Sequence, residues 1–463
     1  MGVGAMAPFG FNPDGQGGEG GDENERQNFE AMMRQMQEAL AKQFEQLGLG
    51  ADGANLFGTN PFGANPFGNQ GAVTKDALPI ATVRDVAKKF AMVKGSQPLG
   101  VKDVTAIDNA CEIADIWLNE ATLFPAHITT AQRATSRVDW VDSTLPGWHA
   151  TMEPLASGLA TAISRLIDEA LASQSADEES PAIPIAAISG LLRTFIATMI
   201  ATQLGEAVGA IATTAVGAHD AGLPILEPAY PLLIAENIDA WGAGSEIAKS
   251  EIYLFHALRE SAIARLFHES PWIVSYIRSA IVEYGAGIRI DIEAIQRQAE
   301  EAMEKGFGDN LGDNSGDNFG AGEQGFSLSL DAGIFTPEES PEQRAALSKL
   351  ETVLALVDGW ADDVATQAAG DRLPSITALR ELHRRTRATS APSQELFKKM
   401  LGLEVSPKLS REASAFWGAV REAKGIEGRD GIWSAILPSA TELLAPDLFL
   451  ASSAIPDDLS GLI

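Results

Sequence analysis

EIYLFHALRESAIARLFHESPWIVSYIR, residues 251–278, is the stretch whose reading decides the fold. It reads as a central helix over about Ser245 to Phe267, followed after Pro271 by a second over about 271–286. The middle of the first helix carries Arg259-Glu260-Ser261-Ala262-Ile263.

A glutamate at that place invites comparison with H-E-x-x-H. In that motif two histidines four apart project from one helical face and hold zinc, while the glutamate polarises the bound water. Here Arg259 and Ile263 occupy the two histidine positions. A guanidinium stays protonated and a branched hydrocarbon has no lone pair, so neither ligates zinc. Glu260 alone makes no site.

Around this core lie Ala264-Arg265-Leu266-Phe267, Pro271-Trp272, Glu283-Tyr284, Gly287-Ile288-Arg289-Ile290-Asp291, Thr336-Pro337-Glu338-Glu339, Leu350-Glu351-Thr352 and Gly370-Asp371-Arg372-Leu373-Pro374. Upstream stand Asp139-Trp140-Val141 and Glu153-Pro154-Leu155. On these segments the chain, over about 75–450, resembles an actinobacterial family of hydrolases or zinc-dependent metalloproteases. Members carry H-E-x-x-H or a decayed R-E-x-x-H, and this chain departs further because Ile263 replaces the last histidine. The resemblance implies a zincin-like body, with Glu260 catalytic and zinc bound in any active member.

The remaining sequence supports a mainly α fold, a multi-helix body with few strands, because strand signals are scarce. Helices are expected at about 79–94, 103–121, 136–144 (Ser136 as N-cap) and 148–173. After Asp291 as cap, a further helix is expected at 292–304, then helices at 341–369, 375–388, 392–402 and 409–424 before a loop-rich C-terminus. Residues 182–218 are the longest apolar stretch. Arg193, Gln203 and Glu206 interrupt it, so a buried helix pair is favoured over a membrane span, with Ala201, Gly205 and Gly209 permitting close contact. Residues 219–235 read as extended, with room for a short strand bordering a cleft.

The body, 73–450, is flanked by a low-complexity tail, 1–72, and a C-terminal tail, 451–463. In the first tail, Asn-Leu-Phe-Gly and Asn-Pro-Phe-Gly repeats follow an amphipathic helix, 25–47, and the Gly-rich composition around it reads as disordered. The acidic segment 306–325, with Gly-Asp-Asn every four residues, fits no calcium-loop period and reads as a disordered insertion.

With 63 acidic against 34 basic side chains the net charge is −29, which disfavours nucleic acid as a partner. Cys111 is the only cysteine, which excludes an intrachain disulfide, and with no secretory signal visible a cytoplasmic protein is the simplest account.

A replacement metal site would draw on the six histidines: His127, His149, His219, His256, His268 and His383. His256 shares a helical face with Glu260, so His256, Glu260 and Glu283 form a candidate set of ligands. The competing account is a buried polar cluster in which Arg259 pairs with Glu283, and Glu260 with Arg265 or Arg289. The basic spot His383-Arg384-Arg385 with Arg387 reads as a solvated helix end. No cofactor is expected on this account. Three functions remain: a non-catalytic zincin-like scaffold that binds a peptide or protein in the former cleft, a divergent zinc-dependent metallohydrolase using Glu260, and an interaction module in the N-terminal tail.

Overall fold

Helical periodicity with few β-branched runs produces a chain of twelve α-helices and one two-residue ladder among the described residues. The computed structural model describes residues 77–174, 185–286, 340–389, 394, 396 and 409–452, with side chains at all but 162–196, 389 and 452. The expected N-terminal tail with its helix 25–47, the helix at 292–304 and the insertion 306–325 lie outside them. So do nearly all of the helix expected at 392–402 and the C-terminal tail beyond Ser452.

In chain order the elements are α1 (Ile80–Val93), α2 (Val101–Leu118), β1 (Ala134–Thr135), α3 (Arg137–Gln174), α4 (Ile185–Ala212), β2 (Leu233–Ile234) and α5 (Ala235–Gly242). There follow α6 (Lys249–Glu269), α7 (Pro271–Ala286), α8 (Pro341–Ala369), α9 (Ile376–Thr389), α10 (Ser410–Gly431), α11 (Ala440–Leu443) and α12 (Pro446–Ser452). Ala72–Asp168 and Ile183–Ile463 form one compact unit, to which all the elements belong apart from the last residues of α3.

Every residue of α6 from Ile252 to Phe267 is buried, so this helix is covered on all sides rather than along one stripe. It packs against α2, α8, α5 and α7. The long helix α8 starts where Ser340 accepts from the Gln343 amide and Gln343 reaches back to the Ser340 amide, with Pro341 at the first helical position. Its buried face, including Leu350, Val353, Leu354, Val357 and Trp360, joins α6 and α7 to α10.

A second anchor lies under α8. Arg429, fully buried, reaches Asp363 at 2.9 Å, Asp430 at 2.9 Å and the Ala121 carbonyl at 2.5 Å. Asp430 in turn accepts from Trp360 Nε1 and from Thr122 Oγ1 and the Leu123 N–H in the turn that follows α2. A charge buried this deeply requires such complete partnering.

The small residues of 182–218 are expected to permit close helix contact, and α4 packs in this way against α1. A Cβ on Gly205 would stand 2.7 Å from Val86 Cβ, and one on Gly209 2.7 Å from Phe90 Cβ. No described helix is long and apolar enough to cross a membrane. The extended reading of 219–235 is met by β2, which pairs in parallel with β1 (Ala134 with Leu233, Thr135 with Ile234).

Three expectations need correction. The helices expected at 136–144 and 148–173 are one continuous α3, running through Pro146 and Pro154 from a start where Ser136 Oγ accepts the Asp139 amide. Trp140 and Trp148 are fully buried with their rings 6.4 Å apart, so both halves share one core and packing overrides the missing N–H of Pro146. The helix expected at 409–424 continues as α10 to Gly431 across a break at Gly425, whose φ of +71° suits glycine. The C-terminus, expected to be loop-rich, instead folds α11, α12 and the turn Ile432–Ser434.

Gly209→Val is expected to destabilise the protein by about 1–3 kcal/mol through forced separation of α1 and α4. Chemical denaturation measures this, and an unchanged midpoint would contradict the close approach.

Candidate functional site

Glu260 sits on the fully covered helix, 4% exposed. Its carboxylate accepts from the His219 backbone N–H at 3.1 and 3.2 Å, lies 2.9 Å from His219 Nδ1 and accepts more weakly from the Leu232 N–H at 3.4 Å. Because the carboxylate is an acceptor, the imidazole donates from Nδ1, and its Nε2 is left buried without a partner. Phe267 stacks at an angle on the same ring, 5.6 Å away. The glutamate thereby ties α6 to both sides of the loop that leads into β2. Gly217 leaves room for this, since a Cβ there would overlap the Glu260 carboxylate.

Arg259 points to another neighbour. It pairs with Asp358 and lies 3.5 Å from Asp362, both on α8. Asp362 also receives Arg380 at 2.6 Å, Arg384 at 3.2 Å and Ser414 Oγ at 2.6 Å. His383 Nε2 lies 3.7 Å from Asp358 and accepts from Arg387, which also holds Asp220. The basic spot read as a solvated helix end is therefore only partly solvated: His383 is 6% exposed and serves this ionic network, as do Arg384 and Arg387, whereas Arg385 stands in solvent beside Glu381. Burial would raise the Asp358 carboxyl, but Arg259, His383 and Arg387 outweigh it and hold it far below the usual carboxylate range. Against the same opposing burial, Arg380, Arg259 and Ser414 lower Asp362 to about 2. Burial first, then the Arg259 charge, lowers His383 to about 4.

Among the described residues, neither Arg259 with Glu283 nor Glu260 with Arg265 is the pairing formed. Glu283 lies on the outer face of α7 and pairs with Lys349 at 3.0 Å and Ser279 at 2.9 Å, not with Arg259. Arg265 binds Asp115 at 3.1 Å, Asn119 at 2.9 Å and the Phe124 carbonyl at 3.1 Å, not Glu260. The other expected partner, Arg289, lies outside the described residues.

The candidate ligands are dispersed. His256 is 2% exposed, with Trp241 edge-on at 4.4 Å and Phe255 at 5.2 Å, and burial pushes its pKa well below the ordinary value. Glu260 is occupied by His219, and Glu283 by Lys349. Ile263 is buried among apolar neighbours. Among the described residues no three His, Cys, Asp or Glu side chains are grouped to hold a metal ion. The donors at this helix do not fit zinc, so no reaction step is derived through it. Cys111 is buried and its thiol pushed up to about 12, mainly by burial, which leaves it unreactive.

One concave surface flanks the same helix. Asp115, His127, Arg133, Tyr230, Ser261 and Arg265 border a small cleft, open to solvent at its mouth, whose interior has room for roughly one water molecule. The wall at Ala229-Tyr230-Pro231 immediately precedes the Leu232 amide that Glu260 holds.

Sequence reasoning missed His219, Gly217, Asp358 and Asp362 as partners of the motif. The aspartates left a trace: Asp358 and Asp362 stand at i, i+4 where the apolar stripe of 347–360 ends. His219 left none, standing 41 residues from Glu260.

A predominantly helical body organised round one fully buried helix is the class these features define. Residues 80–450 match the family model described as zincin-like metallopeptidase, and the chain belongs to that family. It is also similar to the crystal structure of a "putative hydrolase with a novel fold" from Chloroflexus aurantiacus. That likeness has a TM-score of 0.51 at 17% identity and covers 81% of this chain and 98% of the other. At that identity it speaks for the fold alone. A comparison with curated proteins gave no match.

Glu260→Gln places an amide N–H among N–H donors and is expected to cost about 1–3 kcal/mol. Gly217→Ala is expected to cost a similar amount alone and much less in a Glu260→Ala background. Additive effects in that double-mutant cycle would contradict the contact.

Acid should weaken the fold in two stages. His383 takes a proton near 6.5 when unfolded but near 4 when folded. Between those values the unfolded chain binds more protons, so stability present above pH 6.5 falls, by on the order of 3 kcal/mol, as pH drops to 4. The Asp362 contribution, present above its unfolded pKa of about 3.8, is lost from there down toward pH 2. Urea denaturation across this range should show a shallower slope between pH 6.5 and 4 in His383→Gln.

Proposed function

We propose that this protein is a non-catalytic, cytoplasmic member of the zincin-like metallopeptidase family, and that the cleft beside α6 binds a peptide or protein. The observation that carries the reading is the occupation of Glu260. A general base needs a free lone pair facing water or substrate. This carboxylate instead lies 2.9 Å from the His219 ring and accepts from backbone N–H groups in a buried setting. The chemistry of Arg259 and Ile263, which offer no ligand atom, supports the same conclusion. The charge of −29 makes nucleic acid a poor partner, and the cleft supplies a concave surface for a polypeptide.

The competing function within the family is a zinc-dependent metallohydrolase using Glu260. Metal analysis of the purified full chain separates the two. We expect substoichiometric zinc, no change in melting temperature with a chelator, and no cleavage of an unstructured casein substrate. Stoichiometric zinc that is lost on Glu260→Ala or His256→Ala, together with zinc-dependent cleavage, would overturn the non-catalytic reading.

A further inference from the structure

The cleft beside α6 carries an imbalance of charge and of hydrogen bonds. Arg133 Nη2 stands 3.0 Å from one Asp115 oxygen and Arg265 Nη2 stands 3.1 Å from the other. Two guanidinium groups therefore share a single carboxylate, leaving an excess positive charge in a chain that is strongly negative. At the cleft border, Ser261 is 1% and Arg265 3% exposed, and Ser261 Oγ and Arg265 Nε have no hydrogen-bond partner. Buried polar groups left unpaired are costly, so an incoming acceptor gains from meeting them.

The occupant must bring its own negative charge, because Asp115 is already shared. The narrow interior has room for roughly one water-sized group, which suits a single carboxylate oxygen better than the three oxygens of a phosphate. The mouth opens to solvent and leaves a path for the rest of a chain, past half-buried Tyr230 and exposed His127. Pro231 in the wall has no N–H to donate, so strand pairing at that residue cannot supply the affinity and charge must.

We propose that the cleft recognises the free C-terminal carboxylate of a peptide, with Arg133 and Arg265 as counter-charges and Ser261 as hydroxyl donor. This rests on the peptide-binding reading above and names the chemical group it selects. Glu260 acts as a positioning residue for the site, through the Leu232 amide next to the wall.

The test uses the full chain and a pool of N-acetylated tetrapeptides, once with free C-termini and once amidated, with binding followed by ligand-observed NMR. The acid pool should bind at least about tenfold more tightly than the amidated pool, and sodium acetate should compete weakly for the same site. Arg133→Gln should remove most of that preference for the acid pool. Ser261→Ala deletes a hydroxyl that makes no hydrogen bond in the fold, so it should weaken acid binding with no loss of melting temperature. Equal binding of the two pools overturns carboxylate recognition and leaves peptide binding standing. Binding of neither pool overturns both, and acetate binding that no peptide displaces assigns the cleft to small acids instead.

Discussion

The hydrogen bonds from His219 and Leu232 to the Glu260 carboxylate are the constraint on which the arrangement around α6 depends. One buried side chain joins the fully covered helix to both ends of the segment that turns back to form β2. The acceptor is charged and the donors are mostly backbone, a combination stronger than a neutral pair. Gly217 makes the approach sterically feasible. The same attachment sets the wall of the neighbouring cleft, so fold and candidate binding surface share one fastening.

Arg259 solves a different problem. A permanent cation inside a packed body needs carboxylates at hand, and α8 presents Asp358 and Asp362 one turn apart on the facing surface. Those aspartates require more positive charge than Arg259 supplies, which explains why α9 sends Arg380, Arg384 and Arg387 with His383 into the same region. The network is therefore a chain of mutual compensation across three helices rather than a set of independent ion pairs.

Local signals were legible in the sequence wherever local physics decides. The spans read for α7 and α8, 271–286 and 341–369, match the structure because a proline start, a capping residue and helical periodicity all act within a few residues. The small-residue spacing in α4 announced its close packing for the same reason. Reading failed at Pro146, where the shared core of Trp140 and Trp148 outweighs a local breaker. It failed again at the site, because the partners of Arg259 and Glu260 lie 99 and 41 residues away along the chain. Charge compensation does not respect sequence distance, and a single chain offers no spacing rule for it.

The Arg259 pairing also makes a paired-histidine motif costly to install at this place in the fold. Histidines at 259 and 263 would give the H-E-x-x-H spacing but take the Arg259 charge away from Asp358 and Asp362, while Glu260 would still be held by His219. A change at 259 alone leaves a charge-unbalanced core and no complete ligand set. The ion pairs thus bind the identity of residue 259 to that of α8 and α9, so this helix is locked to its neighbours by charge as well as by packing.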